Sequence, residues 1–259
     1  MSDTQITARL NEVLGRGESA VLCTLIDKMG HGPRNPGAKM LVTADGKPLG
    51  TIGGGSMERV LVKEALEALA ERRPRTLHFA LGVAPREGMI SIDSKCGGEV
   101  KVFMDVVKPE PRLFVFGSGW IAQAAARYAR DCGFEVTVVD DAPTARQENF
   151  PAMTVVNSPY PASLEGLEIR GSDYVAVLHG ETPFELAALR ISLKAHPAYV
   201  GLLGSENKAR RHKETLKAEG LDEVQLESLH APIGVEINAE TPNEIGVSIV
   251  AELIQRKRS

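Results

Sequence analysis

The sequence predicts two domains in series: an α+β layer domain over residues 1–108, then an α/β domain with a doubly wound parallel sheet over residues 111–259. Three observations carry this reading. The chain has 259 residues, and at roughly 150 residues per domain that is one large or two small domains. Pro109 and Pro111 flank Glu110, and neither proline can continue a sheet interior. Before that point short strands cluster around one long helix; after it, strands alternate with helices of about 10–15 residues, the pattern of a parallel sheet.

In the first half an amphipathic helix carries Ile6, Leu10, Val13 and Leu14 and is ended by Gly15 and Gly17. Residues 20–27 form a mostly apolar run, read as a buried strand. Residues 39–43 and 48–52 pair as a hairpin, because Asp45-Gly46 supplies the positive φ values of its turn. A triple glycine then precedes a helix over 57–72, whose apolar residues include Val60, Leu61, Ala65, Leu66, Ala68 and Leu69. Strands are predicted over 76–81, 89–93 and 100–107. In the second half strands are expected at 113–116, 135–139, 174–178 and 199–203, and helices at 120–132, 183–195, 206–219 and 242–257.

Composition narrows the function classes. Lys and Arg number 30 against 34 Asp and Glu, a net charge of −4, which argues against nucleic acid as the main partner. No apolar run is long enough to span a membrane, and the first ten residues show no secretory pattern. Three scattered cysteines, Cys23, Cys96 and Cys132, fit a reducing cytoplasm rather than a disulfide framework.

Four stretches carry chemistry. Gly117-Ser118-Gly119-Trp120 lies between a strand and a helix, with Asp140 ending the next strand where an acid that reads a ribose belongs. The bland alternative is that these glycines only permit tight strand–helix packing. Gly53-Gly54-Gly55-Ser56 opens a helix, where consecutive N–H groups make an anion nest; the alternative is a turn capped by Ser56, with Glu58 compensating the dipole. Cys96-Gly97-Gly98 sits in a polar turn after Lys95, a reachable soft thiol, whereas Cys23 and Cys132 read as core fillers. Arg34 and Lys39 bracket a stiff Pro-Gly loop and are candidates to clamp phosphate, or else solvated loop charges. His179, at the end of a central strand, lies at the edge where α/β ligands bind. Glu185 and Glu244 are explained by capping boxes after Thr182 and Thr241. Lys208, Arg210 and Arg211 follow Gly204-Ser205 after a strand and are within reach of an anion, though a solvated helix face is the commoner reading; His31, His78, His196, His212 and His230 form no spaced constellation.

In combination these residues resemble the xanthine dehydrogenase accessory factor family, XdhC/CoxI. The matching stretches are Pro33-Arg34-Asn35-Pro36-Gly37-Ala38-Lys39-Met40, Gly50-Thr51-Ile52-Gly53-Gly54-Gly55, Cys96-Gly97-Gly98-Glu99-Val100, Gly117-Ser118-Gly119, and Val138-Val139-Asp140-Asp141. They continue with Tyr199-Val200-Gly201-Leu202-Leu203-Gly204-Ser205, Ala231-Pro232-Ile233-Gly234, and Ala239-Glu240-Thr241-Pro242-Asn243-Glu244-Ile245. Ser56 stands where many members carry a cysteine, and Trp120 where many carry a histidine.

The resemblance implies an XdhC/CoxI domain followed by a Rossmann-like domain, in a cytoplasmic, oligomeric chaperone rather than a turnover enzyme. Such proteins bind the molybdenum cofactor, as molybdopterin or its cytosine dinucleotide. They assist its sulfuration and insert it into an apo-molybdenum hydroxylase of the xanthine dehydrogenase type, with a cysteine desulfurase as a further partner. On this reading the glycine loops hold phosphate and Cys96 meets the metal–sulfur end. The competing expectations are an NAD(P)- or FAD-dependent oxidoreductase built on Gly117-Ser118-Gly119 and Asp140, and a non-catalytic interaction subunit with purely structural glycines.

Overall fold

The structure is a computed structural model that describes residues 2–160, 162–164 and 166–258. The chain divides into two compact units, Met1–Pro109 and Glu110–Ser259.

Unit 1 begins with α1 (Asp3–Gly15), started by a capping box in which Ser2 and Gln5 each accept the other's backbone N–H. β1 (Ala20–Gly30), β2 (Lys39–Thr43) and β3 (Pro48–Gly50) precede α2 (Gly55–Glu71), and β4 (Arg75–Leu81), β5 (Ile90–Ile92) and β6 (Gly98–Val107) follow it. The sheet order is β3-β2-β1-β6-β4-β5, antiparallel at every junction except β4–β5. α2 buries Met57, Leu61, Ala65 and Ala68 against Val21, Cys23, Leu25, Met40 and Val102. α1 packs Ile6 and Val13 with Ala20 and Leu41. Several boundaries shift by one to three residues, two of them for causes visible in the structure. β1 runs on to Gly30 because its ladder with β6 continues past a bulge between Leu25 and Asp27. β3 stops at Gly50 because the Thr51 hydroxyl and the Ile52 N–H are drawn to Glu58.

Unit 2 contains β7 (Arg112–Phe116), α3 (Trp120–Asp131), β8 (Glu135–Asp140), β9 (Thr154–Asn157), β10 (Tyr174–Val177), α4 (Thr182–Lys194), β11 (Tyr199–Leu202), α5 (Glu206–Ala218), α6 (Glu223–Glu227), β12 (Leu229–His230) and α7 (Pro242–Arg258). Its sheet, β12-β11-β10-β7-β8-β9, is wholly parallel. This is the doubly wound α/β arrangement read from the alternation. β9, β12 and α6 add to the expected elements: β12 and α6, of two and five residues, are too short to display a period, and β9 is an edge strand with no buried residue. The strand order reverses between β7 and β10, the switch point where open α/β sheets bind ligands beyond their carboxyl ends. Among the described residues, no helix is long and apolar enough to cross a membrane.

The core on one face of this sheet sets Ala122, Ala125, Ala126 and Ala129 of α3 with Ile249 and Leu253 of α7. The two helices approach so closely that a Cβ on Gly246 would lie 2.8 Å from Ala124 Cβ and 3.0 Å from the Ala125 nitrogen. A larger residue there must prise the helices apart. Gly246→Leu is expected to cost about 1–3 kcal/mol, read as a lower urea midpoint with an unchanged slope.

Candidate functional site

In unit 1, Gly53, Gly54 and Gly55 take φ values of 153°, 81° and 72°, a run that side-chain-bearing residues adopt only under strain. This backbone turns successive N–H groups inward, but onto the protein's own anion. One oxygen of Glu58 accepts the Thr51 hydroxyl at 2.6 Å and the N–H groups of Ile52, Gly53 and Gly54 at 3.0, 3.2 and 2.8 Å. The loop is therefore an anion nest, as its glycines predicted, and Glu58 fills it rather than merely compensating a dipole. Burial pushes the Glu58 carboxyl upward, but the bonds from Thr51, Gly54, Ile52 and Gly53 outweigh that effect and hold it below the usual range. Gly54 is the N-cap of α2 and Ser56 lies inside the helix, so Ser56 is not the cap. Helix geometry leaves the first-turn N–H groups of Gly55, Ser56 and Met57 without intrahelical acceptors.

Those residues line a cavity of about 190 Å³ shared with Pro33, Ile92, Ser94 and Cys96. The structure thus brings the glycine loop and Cys96 into one place. Cys96 is half-buried there and is the soft donor able to meet a metal or sulfur. Cys23 is fully buried, its thiol pushed up to about 12 by desolvation, which makes it inert. Cys132 was expected in the core but is exposed, because α3 ends at Asp131 and the chain turns outward. Pro33 contacts the glycine loop so closely that a Cβ on Gly53 would lie 2.3 Å from its ring. Gly98 answers a strand contact instead, since its Cβ would meet the Met29 and His31 carbonyls; no atom lies within 4 Å of a Cβ on Gly97. Arg34 is exposed. Lys39 is drawn toward α1: its ammonium lies 2.6 Å from Asp3 and 3.1 Å from the Gly37 carbonyl, tying α1 to β2.

In unit 2 the loop after β7 faces the loop after β10. A Cβ on Gly117 would collide with Leu178 and His179 backbone at 2.8–2.9 Å, so packing accounts for this glycine. Gly119 differs. Its φ is −67°, within reach of any residue, and nothing lies within 4 Å of its missing Cβ. The chain itself makes no demand for glycine there. Trp120 is 78% exposed, so its indole is not packed into the core.

Asp140 is 3% exposed and fully engaged. The Ser118 hydroxyl donates to one oxygen at 2.5 Å; the other accepts the N–H groups of Asp141 and Ala142 at 2.8 and 3.1 Å, and His179 at 3.1 Å. Ser118 in turn meets the Thr144 hydroxyl at 2.5 Å. An acid so occupied must release these bonds before reading a ribose. The His179 ring stacks on Phe184 with centroids 4.0 Å apart. Its Nδ1 accepts the Glu181 N–H, which places the ring proton on Nε2, toward Asp140. Asp140, Asp141 and His179 lie close enough together to surround a cation, yet a metal needs the Nε2 lone pair that this tautomer lacks.

Glu185 and its partners overturn two expectations. The N-cap of α4 is Glu181, and Glu185 turns inward with no exposure. It accepts Lys208 Nζ at 2.5 Å and the Gly180 N–H at 2.9 Å on one oxygen, and His212 Nε2 at 3.0 Å on the other. Lys208 and His212 therefore belong to a buried cluster, not to a solvated face. The signal lay in α5, where His212 follows Ala209 by three residues and precedes Leu216 by four, within the buried stripe. The second capping box is real: Glu244 accepts the Thr241 and Glu240 N–H groups, which hold its carboxyl below the usual range.

A two-unit chain with a Rossmann-type sheet behind a glycine loop is the class this geometry defines. A family model described as the XdhC Rossmann domain matches residues 113–253, and one described as the XdhC and CoxI family matches residues 13–80. The chain belongs to the XdhC family. It is 37% identical over 241 residues to an uncharacterized protein of Escherichia coli K12, YqeB, covering 92% of this chain and 43% of YqeB; the chain thus spans less than half the length of that relative. It is 24% identical over 288 residues to PaoD of Escherichia coli K12, described as a molybdenum cofactor insertion chaperone, covering 93% of this chain and 85% of PaoD. A solved Bacillus halodurans chain titled a xanthine dehydrogenase superposes with a TM-score of 0.52 at 24% identity, over 100% of this chain and 96% of that one, a likeness of fold.

The depressed Glu58 carboxyl has a pH signature. A group whose folded value lies below its ordinary 4.5 contributes stability that is complete above that value and is lost as pH falls through the folded one. Glu58→Gln is expected to cost about 1–3 kcal/mol at neutral pH. It should also flatten the fall in melting temperature of the wild type on acidification from about pH 5 to pH 3, followed by differential scanning fluorimetry.

Proposed function

We propose that the chain carries the molybdenum cofactor and delivers it to a molybdenum hydroxylase of the xanthine dehydrogenase type, assisting the cofactor's sulfuration on the way. The observation that carries this reading is the unit 1 cavity, where the Cys96 thiol meets the first turn of α2. A thiolate suits a metal–sulfur centre, and a helix start suits a phosphate, the two chemistries that a phosphorylated molybdenum–pterin cargo presents. Cys96 is the residue for the metal–sulfur end, and Gly55 and Ser56 for phosphate. At about 190 Å³ the cavity is smaller than the roughly 300–1,000 Å³ of pockets that enclose whole ligands, so it takes one end of the cargo and leaves the rest exposed.

The similarity to PaoD over nearly the whole chain supports the carrier reading. Gly119, a glycine that neither strain nor packing requires, supports a nucleotide contact on unit 2 in its own right. A cysteine desulfurase as sulfur source and self-association belong to the same reading. An oxidoreductase using NAD(P) or FAD has less support, because Asp140 is committed to Ser118, two backbone N–H groups and His179.

Cys96→Ala is expected to lower molybdenum and pterin retained per protein by about tenfold or more after expression in a cofactor-producing cell, and to slow activation of the client in the same proportion. Retention and activation equal to wild type would overturn the reading. Cofactor bound without any gain in client activity would confine the chain to storage.

A further inference from the structure

We propose that Lys208, held by the buried Glu185, whose other oxygen is bonded by His212, is a phosphate-binding group at the carboxyl edge of the unit 2 sheet. The identity of the phosphate-bearing ligand rests on the carrier reading; the site rests on geometry alone.

Glu185 has no exposure, the His212 side chain 4% and the Lys208 side chain 22%. Taking a carboxylate, an ammonium and an imidazole out of water costs more than a packing role requires. Apolar residues of similar volume would join α4 to α5 as well or better. The cluster is complete on one side and open on the other. Both Glu185 oxygens are used, by Lys208, Gly180 and His212. Of the three ammonium hydrogens, one goes to Glu185 and a second reaches the Leu203 carbonyl at 3.4 Å. Among the described residues no further acceptor meets the third, on the side chain's exposed flank.

Two glycines make the room. A Cβ on Gly204 would lie 2.6 Å from Lys208 Cδ, so any other residue there displaces the lysine stem. Gly180, whose N–H shares a Glu185 oxygen with the ammonium, has nothing within 4 Å of its own missing Cβ. Lys208 therefore opens beside free space over the loop after β10, next to the switch point. Glu185 is shared among Lys208, Gly180 and His212, and the remaining ammonium hydrogen is the donor available to an anion.

The test is calorimetric titration of inorganic pyrophosphate into the whole chain at low salt. Beside binding at the first turn of α2, wild type should show a site that Lys208→Met weakens by about tenfold or more and that Lys208→Arg mostly retains. Because Lys208→Met leaves a buried carboxylate uncompensated, the triple variant Glu185→Leu, Lys208→Met, His212→Leu is measured beside it. It should unfold cooperatively like wild type and bind as poorly as Lys208→Met. Wild-type affinity at this site in either variant, or no such site in the wild type, overturns the inference. Because cofactor retention is read separately through Cys96→Ala, the carrier reading can fail while pyrophosphate binding by Lys208 stands, and the reverse.

Discussion

A peptide N–H in a glycine loop has no side chain to shield it and no neighbouring strand to bond it, so it must find an acceptor or face water. In this chain the acceptor is repeatedly a carboxylate turned inward. Glu58 gathers the N–H groups of Ile52, Gly53 and Gly54; Asp140 gathers those of Asp141 and Ala142; Glu185 gathers that of Gly180. Each is charge-assisted and sheltered, which makes it stronger than a neutral bond in water. The loops that line the candidate sites are thereby fixed before any ligand arrives. The same carboxylates decide what is left over: first-turn N–H groups at α2, the open side of Gly119, and one ammonium hydrogen on Lys208.

The fold was legible because its signals are periodic. Alternating strands and helices after Pro111 define the parallel sheet, and the stripe through Leu61, Ala65 and Ala68 defines the face of α2. The site residues were legible one at a time, as glycines, a polar-turn cysteine and a strand-end histidine. Their grouping was not. Gly55 and Cys96 share a cavity only because β4 and β6 pair in a register that returns the 94–98 turn to the start of α2, and no local pattern records a long-range register.

Charged residues were the hardest to read, since the same letter serves a surface and a buried network. The spacing of Thr182 and Glu185 fits a capping box as well as that of Thr241 and Glu244, yet only Glu244 caps. The difference lies in distant partners: Lys208 and His212 on α5 draw Glu185 inward, while Glu244 meets only the N–H groups of its own helix start. Lys39 shows the converse, a loop cation that pairs with Asp3, 36 residues earlier in the chain. Local sequence fixes propensity; the partner fixes the role.

These arrangements also bear on how firmly a carrier should hold its cargo. A chaperone that enclosed the whole cofactor would have to open before each transfer, and a barrier to release would then set its rate. On the carrier reading, a cavity of about 190 Å³ that held one end would leave the remainder available to a recipient while the first contacts persisted. Transfer can then proceed by exchange of contacts rather than by dissociation into water. Fixed loops suit this mode, because backbone donors already bonded to Glu58 and Glu185 need not be ordered when the cargo binds, and little ordering cost is incurred on either side of the exchange. On that reading the energetic demand would move to the few groups left unmatched, Cys96 and the first turn of α2. In a carrier those are the groups whose strength must be limited.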